Sequence, residues 1–415
     1  MIIYPSKRKS QQIKYMDKER SSSMRAYNPM TVIRQTSRSV LKEFFTEHRC
    51  LECLNFEKDK LYEIQDAFRT LPEGLLRKVE IVMRNVFNLA GNEAVILRLL
   101  DEAKTQDGEF NSEIQQFKNR YDMAFHIYLH HRTLWEKACT FLQVDNLPGR
   151  HWCRCPNLPK QTPRTDRNAC EDLGRQISAF FWHKQVRGKK YLIEYQKRTG
   201  DLHYYFVYLS DYANSYEAWS EQNSELERKN ETRVINMVFA YDMHFGTLDT
   251  YNLGGTKIAM VLQKIFCDTI LGYHLVDKQI LKSAFDIERL KYRKNIPIAL
   301  PHVGITRAWI SCLEFNYQGA GKRRTHRMSL DDVVRDDEIY SVMEHDLNRE
   351  NVPLNVIVIK FVRIILEIEW NNCKRRMTIE LTRNSCTLKS NADELRKIGE
   401  YFIQENGIDV QPNLF

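Results

Sequence analysis

The sequence lacks the long apolar runs that mark membrane spans and secretion signals. No stretch of about 18 apolar residues occurs among the 415 residues, so we expect no membrane partner. The first residues, "MIIYPSKRKSQQIK", contain no apolar core followed by a small-residue cleavage site. The ten cysteines are scattered along the chain, so we expect free thiols in a reducing cytoplasm.

The commonest catalytic motifs are also missing. The chain contains no H-E-x-x-H, no G-x-S-x-G and no G-x-G-x-x-G pattern. The segment "NLGGTKIAMVLQ" places two glycines before a helix, but it lacks the full phosphate-binding loop pattern, so we interpret it as a turn. These absences argue against familiar enzymes and favour a non-enzymatic binding or regulatory protein.

The positive charge is concentrated at the N-terminus. The formal net charge is +8, and residues 1–40 alone hold nine Lys and Arg residues against two acidic residues, so the remainder is nearly neutral. We predict that residues 1–35 form a basic flexible arm. Such an arm binds nucleic acid or acidic partners by releasing counterions, or it is only a disordered leader.

The apolar periodicity predicts an α+β fold class with a helical N-terminal part. Spacing of three and four residues through 36–145 predicts a bundle of about five helices. Residues 146–170 are rich in proline and aperiodic, which predicts a linker or extended loop. Residues 171–295 indicate a helix, an antiparallel meander and a second helix, and residues 296–415 indicate β-hairpins covered by a final helix.

The two C-terminal hairpins resemble each other. Each has Leu-Glu before the predicted turn, and each turn carries a Lys-Arg-Arg triplet, which indicates either duplication or two hairpins that solve the same structural problem. Basic hairpin turns suit phosphate contacts, and they also keep edge strands from pairing with other chains. The predicted nucleic-acid-binding residues are Lys322, Arg323, Arg324, Lys374, Arg375 and Arg376.

An aromatic strand, "HYYFVYLSDY", was considered as a platform on which bases could stack. Its rings are those of Tyr204, Tyr205, Phe206 and Tyr208. Aromatic residues at successive positions point to both faces of a strand, so we favour a strand that is buried on both sides.

Two cysteine pairs raise the question of a structural zinc site. Cys50 and Cys53 have the C-x-x-C spacing, while Cys153 and Cys155 lie in "GRHWCRC" about a hundred residues later. The first pair has no glycine to shape a metal-binding turn, so we favour ordinary buried thiols and predict no cofactor and no catalytic residue. A nucleophilic Cys153 would need a neighbouring base.

Three functional hypotheses follow from these patterns. The leading one is nucleic-acid binding through the basic hairpins and the basic arm. The second is a protein–protein scaffold that docks partners on the helical part. The third is an unrecognised metal-dependent nuclease, in which Glu194, Asp242 and Asp249 would have to converge on one edge of the meander.

Overall fold

The computed structural model divides the chain into two compact units. One unit contains residues 1–96 and 107–139, and the other contains residues 97–106 and 140–415. The α+β fold class is confirmed, with ten α-helices and two antiparallel sheets among the residues that the structure describes. The structure describes residues 27–91, 117, 119–198, 201–220, 225–276, 283–319, 322–331, 333–347, 350, 352–370, 373–390 and 393–410.

The first unit is helical. Of the predicted basic arm, residues 1–26 lie outside the described residues, and residues 29–35 form a helix with Val32 and Ile33 buried, so this part is ordered. The helices are α1 (Pro29–Gln35), α2 (Arg38–Glu47), α3 (Leu61–Arg69), α4 (Glu73–Ala90), α5 (Arg120–His130) and α6 (Arg132–Asp145), and α6 continues into the second unit. The apolar spacing also predicts a helix over residues 92–104, "NEAVILRLLDEAK", and these residues lie outside the described ones.

An aromatic core holds α2 against α5. Phe44 and Phe45 on α2 are fully buried, and the Phe44 ring centroid lies 4.7 Å from that of Phe125 on α5. The carboxylate of Asp122 accepts a hydrogen bond from the backbone amide of Ser37, at 2.7 Å, where α2 begins. Thus α5 supplies both the apolar surface for α2 and a partner for one of its unsatisfied amides.

The second unit begins with a five-stranded antiparallel sheet in the order β1-β5-β4-β3-β2. The strands are β1 (Trp152–Cys155), β2 (Tyr191–Arg198), β3 (Leu202–Trp219), β4 (Leu226–Asp242) and β5 (Thr247–Tyr251). Helix α7 (Arg167–Gln185) precedes β2, and α8 (Thr256–Phe266) follows β5. The predicted order of helix, meander and helix is therefore present.

Helices cover both faces of this sheet. Tyr205 and Val207 face α7 and α8, whereas Tyr204 and Phe206 pack against Phe141 of α6. A strand buried on both faces needs no polar alternation, which explains the aromatic run in β3. The stacking platform considered for this strand is therefore not accessible.

The proline-rich segment 146–170 is not a simple linker. Its residues Trp152–Cys155 form β1, which pairs with β5 from Trp152↔Tyr251 to Cys155↔Leu248. Prolines on either side hide a strand of only four residues from a periodicity argument. The segment is thus an integral part of the sheet.

A four-stranded antiparallel sheet completes the second unit, in the order β7-β6-β8-β9. Its strands are β6 (Ile305–Gly319), β7 (Lys322–Ser329), β8 (Val358–Trp370) and β9 (Cys373–Leu381). Helices α9 (Glu338–Asp346) and α10 (Asp393–Glu405) contribute Tyr340, Met343 and Phe402 to the core on its inner face. None of the described helices is both long and apolar enough to cross a membrane.

A buried ion cluster joins the two sheets. The Arg154 guanidinium of β1 donates two hydrogen bonds to the Asp249 carboxylate of β5, at 2.9 and 3.2 Å. Lys389, which follows β9, places its Nζ 2.7 Å from the same carboxylate and 4.1 Å from the centroid of the Trp152 ring. The two neighbouring cations hold the pKa of Asp249 well below its usual range, although burial alone would raise it.

Two hydrogen bonds between Arg154 and Asn384 strengthen the same contact between the two sheets. The Arg154 amide donates to the carbonyl of Asn384 at 2.7 Å, and the Asn384 side chain donates to the Arg154 carbonyl at 3.2 Å. A cavity of about 20 Å³ beside the cluster has room for about one water molecule and not for a substrate. Residues of the predicted linker segment 146–170 therefore connect the five-stranded sheet to the four-stranded sheet.

A second buried polar group lies in β3. His203 is 4% exposed, and its Nδ1 lies 2.9 Å from the hydroxyl of Tyr195. Burial lowers the pKa of His203, the charge of Lys197 lowers it further, and Asp201 opposes both. The imidazole is therefore kept neutral at a pH where the unfolded chain already binds a proton.

We predict that Asp249→Asn lowers the free energy of unfolding by about 3 kcal/mol, because it removes the carboxylate that two largely buried cations share and leaves Arg154 with the more distant Asp409 at 3.8 Å. Urea denaturation would measure the change. Asp172→Asn is the matched control, since Asp172 pairs with Arg175 on the surface, and it should cost less than about 1 kcal/mol. A loss below about 1 kcal/mol for Asp249→Asn would show that the cluster does not hold the sheets together.

We also predict that acidification destabilises the second unit through His203. The folded-state pKa lies below that of the unfolded chain, so the unfolded state takes up the proton first and stability falls as the pH drops below about 6.5. Urea denaturation at several pH values should show that the free energy of unfolding depends less steeply on pH in His203→Gln than in the parent protein. The exposed His244 supplies the control, since His244→Gln should leave the slope unchanged. Equal slopes for all three proteins would refute this account.

Candidate nucleic-acid interface

The two Lys-Arg-Arg triplets lie on strands, so their prediction as hairpin turns is wrong. Lys322, Arg323 and Arg324 are the first residues of β7. Lys374, Arg375 and Arg376 lie near the start of β9. The side chain of Lys322 lies outside the described part of the structure.

Strand alternation separates the members of each triplet. Arg323 pairs with Gln318 on the outer face of the sheet, whereas Arg324 pairs with Tyr317, which packs against the inner core. In β9, Lys374 and Arg376 pair with Glu369 and Glu367 on the outer face, and Arg375 pairs with the core residue Ile368. Only alternate members of a triplet can therefore act on one ligand.

The triplets also lie at opposite ends of the sheet. Because β6 and β8 are antiparallel neighbours, the tip of one hairpin lies beside the start of the other. Arg323 is at the end of the sheet where β8 begins, and Lys374 is where β8 finishes. A rise of about 3.3 Å per residue over the strand puts the two ends about 36 Å apart.

Further cations fill the outer face between these ends. The same register places guanidinium groups from three strands on this side of the sheet, together with two aromatic rings. We call this surface the arginine face, and it consists of Arg307, Arg323, Arg327, Arg363, Lys374, Arg376, Trp309 and Phe361.

Each aromatic ring of the arginine face lies against two guanidinium groups. The Trp309 centroid is 4.6 Å from the Arg307 guanidinium and 5.7 Å from that of Arg376. Phe361 has Arg327 at 5.5 Å and Arg363 at 5.8 Å. Rings in this position fix the planes of the guanidinium groups. The Arg307 guanidinium also donates to the Asp336 carboxylate at 2.5 Å and to the carbonyls of Val333 and Val334.

Carboxylates offset part of this charge. Three ion pairs join directly opposite residues on neighbouring strands, and they are Arg327–Glu314 at 3.6 Å, Arg363–Glu380 at 2.8 Å and Arg376–Glu367 at 3.1 Å. Asp336 pairs with Arg307 at 2.5 Å, so with Glu369 five carboxylates face six cations and the surface keeps an excess of one positive charge. The Arg376 side chain remains 69% exposed in its pair.

Arg323 is held by a neutral neighbour. With its amide oriented to donate to Thr325, the Asn316 side chain accepts a hydrogen bond from Arg323 Nε at 2.9 Å. An amide orients the guanidinium without cancelling its charge. This end of the arginine face therefore has a positioned cation.

A second basic surface was missed by the sequence analysis. The last turn of α7 and the loop after it, "WHKQVRGKK", expose Trp182, Lys184, Lys189 and Lys190, with Lys189 Nζ 5.9 Å from the Trp182 ring centroid. We call it the lysine loop. The four cations within residues 184–190 could have indicated this surface, whereas the near-neutral total charge of the body gives no indication of it.

The three acids of the nuclease hypothesis do not form a cluster. Glu194, Asp242 and Asp249 point to the same face of the five-stranded sheet, but Glu194 lies on β2 and Asp249 on β5. Three strand spacings of about 4.8 Å separate those two strands by about 14 Å. Asp249 is moreover engaged by Arg154 and Lys389, so this set offers no shared metal site.

The cysteines behave as small buried groups. Cys153 and Cys155 are 6% and 2% exposed, and burial raises the pKa of their thiols to about 11 and about 12. Cys50 is buried and Cys53 is exposed. Among the described residues no group of three or more His, Cys, Asp or Glu side chains is arranged to hold a metal ion.

Comparison of this chain with protein-family models, curated proteins and solved structures finds no match. The arrangement of the arginine face therefore has to be interpreted from its own geometry.

We predict that a thiol reagent modifies Cys53 in the native protein at least about 100-fold faster than Cys153 or Cys155, because a buried thiol with a raised pKa supplies little thiolate. Mass spectrometry of peptides after timed labelling would measure the rates. In Cys53→Ser the fast modification at that site disappears, and in urea all sites should react. Fast labelling of Cys153 in the folded protein would instead support a reactive site.

Proposed function

We propose that this protein is a non-enzymatic nucleic-acid-binding protein whose arginine face contacts the phosphate backbone. The observation that carries the proposal is the set of guanidinium groups held against Trp309 and Phe361 on one sheet face. Planar, oriented guanidinium groups suit bidentate phosphate contacts. The described cysteines are free thiols, which agrees with the reducing cytoplasm that we propose as the place of action.

The ion pairs of the arginine face are compatible with this role. Exposed pairs contribute only about 0–1 kcal/mol each, so a phosphate can replace a carboxylate as the partner of an arginine. Arg327 and Arg376 are 53% and 69% exposed in their pairs, which gives a ligand access to them. Salt screens such contacts, so affinity should depend steeply on ionic strength.

The geometry favours backbone contact over the recognition of bases. Trp309 is only 4% exposed, so its ring cannot accept a stacked base. The length of about 36 Å between the ends of the face corresponds to about ten base pairs of duplex. Contacts to phosphate position a nucleic acid without reading its sequence, so binding should be largely independent of sequence.

The test compares two variants that remove the same charge from the same triplets. Arg323→Gln/Arg376→Gln alters the outer face, and Arg324→Gln/Arg375→Gln alters the inner side at the same strand positions. The first variant should weaken binding to a duplex of about 20 base pairs and lower the slope of log K against log salt by about 2, if each arginine neutralises one phosphate. Fluorescence anisotropy at several salt concentrations measures both quantities.

The control variant should keep the affinity and slope of the parent protein, because its arginines do not belong to the arginine face. Equal loss in the two variants would mean that only net charge matters. A third variant, Lys184→Gln/Lys189→Gln/Lys190→Gln, tests the lysine loop. Loss of binding in this variant alone would move the interface there, and a parent protein without affinity for single- or double-stranded nucleic acid at low salt would overturn the proposal.

A scaffold role remains the second candidate, and one observation favours it. A polar cleft of about 660 Å³ lies between α2 and α5 and is lined by Glu43, Glu47, Arg49 and His130 among other residues. Charged clefts of this kind can seat a partner's polar side chains. Capture of protein partners after nuclease treatment, lost in Glu43→Lys/Glu47→Lys, would support docking there.

A further inference from the structure

Strands β3 and β4 extend past the five-stranded sheet as a two-stranded ribbon. Residues 213–219 pair with residues 226–232, and most of their side chains are exposed. An isolated two-stranded ribbon is marginally stable in water, so a projecting one is suited to a partner. We call residues 226–234 of β4, "LERKNETRV", the β4 edge.

The β4 edge has a neighbouring strand on one side only within the described structure. β5 pairs with β4 only from Val238 to Asp242, and β3 occupies the other side. The register shift in this region places one extra residue in β3, so β4 itself runs regularly. The β4 edge also lacks proline, which often protects such edges from pairing.

Local hydrogen bonds show which backbone groups face outward. The Ser210 amide donates to the Lys190 carbonyl and the Ser210 carbonyl accepts from Gly188, so both groups point away from β4. Val234, opposite Ser210, therefore directs its own amide and carbonyl to the open edge. The Ser220 amide donates a hydrogen bond to the Glu225 carbonyl. The backbone N–H and C=O groups of the odd-numbered residues therefore point to β3, and those of the even-numbered residues from 226 to 234 point to the open edge.

The sequence of the β4 edge is complementary to itself when it is reversed about Asn230. Antiparallel pairing of two copies around this residue sets Lys229 opposite Glu231 and Glu227 opposite Arg233. Leu226 and Val234, which are 60% and 57% exposed, then meet each other. On the side of the sheet that carries the odd-numbered residues, every charged residue therefore lies opposite a residue of the opposite charge. The apolar residues at the two ends of the segment lie opposite each other.

We propose that two copies of this chain associate through their β4 edges about a twofold axis at Asn230. In this register Asn230 faces its own copy, Arg228 faces Thr232, and Leu226 faces Val234. All are outward-facing, even-numbered residues, so five hydrogen-bonded pairs would supply about ten backbone hydrogen bonds. The two ribbons become one four-stranded sheet, and the contact is isologous, so it closes at a dimer.

Neighbouring registers are disfavoured by charge. A centre at Lys229 would set Lys229 against itself and Glu227 against Glu231. A centre at Glu231 would oppose Glu231 to itself and Lys229 to Arg233. Like charges directly opposite each other destabilise a strand pair, so the centre at Asn230 is selected.

Charge reversal in two complementary variants tests the proposal on the full chain. Glu227→Lys/Glu231→Lys and Lys229→Glu/Arg233→Glu each turn all four opposite-charge pairs into like-charge pairs. Each alone should dissociate about 30-fold more readily than the parent dimer. An equimolar mixture should recover a dimer containing both variants, because every pair is attractive again, and sedimentation velocity with one variant labelled measures it.

Recovery in the mixture shows that both variants are folded, so misfolding cannot explain the loss. A parent chain that stays monomeric at about 100 μM would overturn the proposal, since specific dimers of useful strength form well below that concentration. A parent dimer that neither variant weakens would overturn the β4 edge as its site. Failure of the mixture to restore association would overturn the register.

A disulfide test locates the axis independently. Hydrogen-bonded antiparallel pairs have Cα atoms about 5.5 Å apart, which suits a disulfide, so Asn230→Cys should cross-link two chains under mild oxidation. Arg228→Cys is the matched control, because its copy would lie about 13 Å away along the strand. Equal cross-linking of both variants, measured against the parent on a non-reducing gel, would contradict a centre at Asn230.

Discussion

The paired charges of Arg154 and Asp249 are the constraint on which the second unit depends. Arg154 lies on an edge strand of one sheet, and its backbone bonds Asn384 while its side chain binds a carboxylate shared with Lys389 from beyond the other sheet. A buried ion pair tolerates little displacement, because separating its charges leaves each of them unsolvated. We infer that the cluster fixes the position of the two sheets more narrowly than apolar packing alone would.

The elements with clear periodicity were predictable from the sequence, but the contact between the two sheets at Arg154 and Asp249 was not. The α+β class, the helix-meander-helix order and the two C-terminal hairpins follow from local spacing and turn residues. The four residues of β1 carry no period, and their partners at Asp249 and Asn384 are 95 and 230 residues away. Local pattern gives no information on such distant pairings, so the segment resembled a linker.

The candidate interface shows a similar division. The two predicted hairpins are present, but the sequence could not tell whether a basic run lies in a turn or opens a strand. That difference decides which side chains can contact one ligand, because a turn would expose all three side chains together while a strand sends Arg323 and Arg324 to opposite faces. The stacking of Arg307 and Arg376 on Trp309 depends on pairing between β6, β8 and β9, which no single segment encodes.

Solvent exposure decides what the same kinds of charged residue can do in this chain. At the contact between the two sheets, the Asp249 side chain is 11% exposed, and it cannot exchange its cations for another partner without a large desolvation cost. On the arginine face the Arg327 and Arg376 side chains are more than half exposed in their pairs, so the attraction in those pairs is weak enough for a phosphate to compete. Along the β4 edge the charges alternate in sign, so they add almost nothing to a long-range field, but they discriminate sharply between registers at contact. We therefore propose that a near-neutral protein body has surfaces for two different partners, because local arrangement and not total charge selects each one.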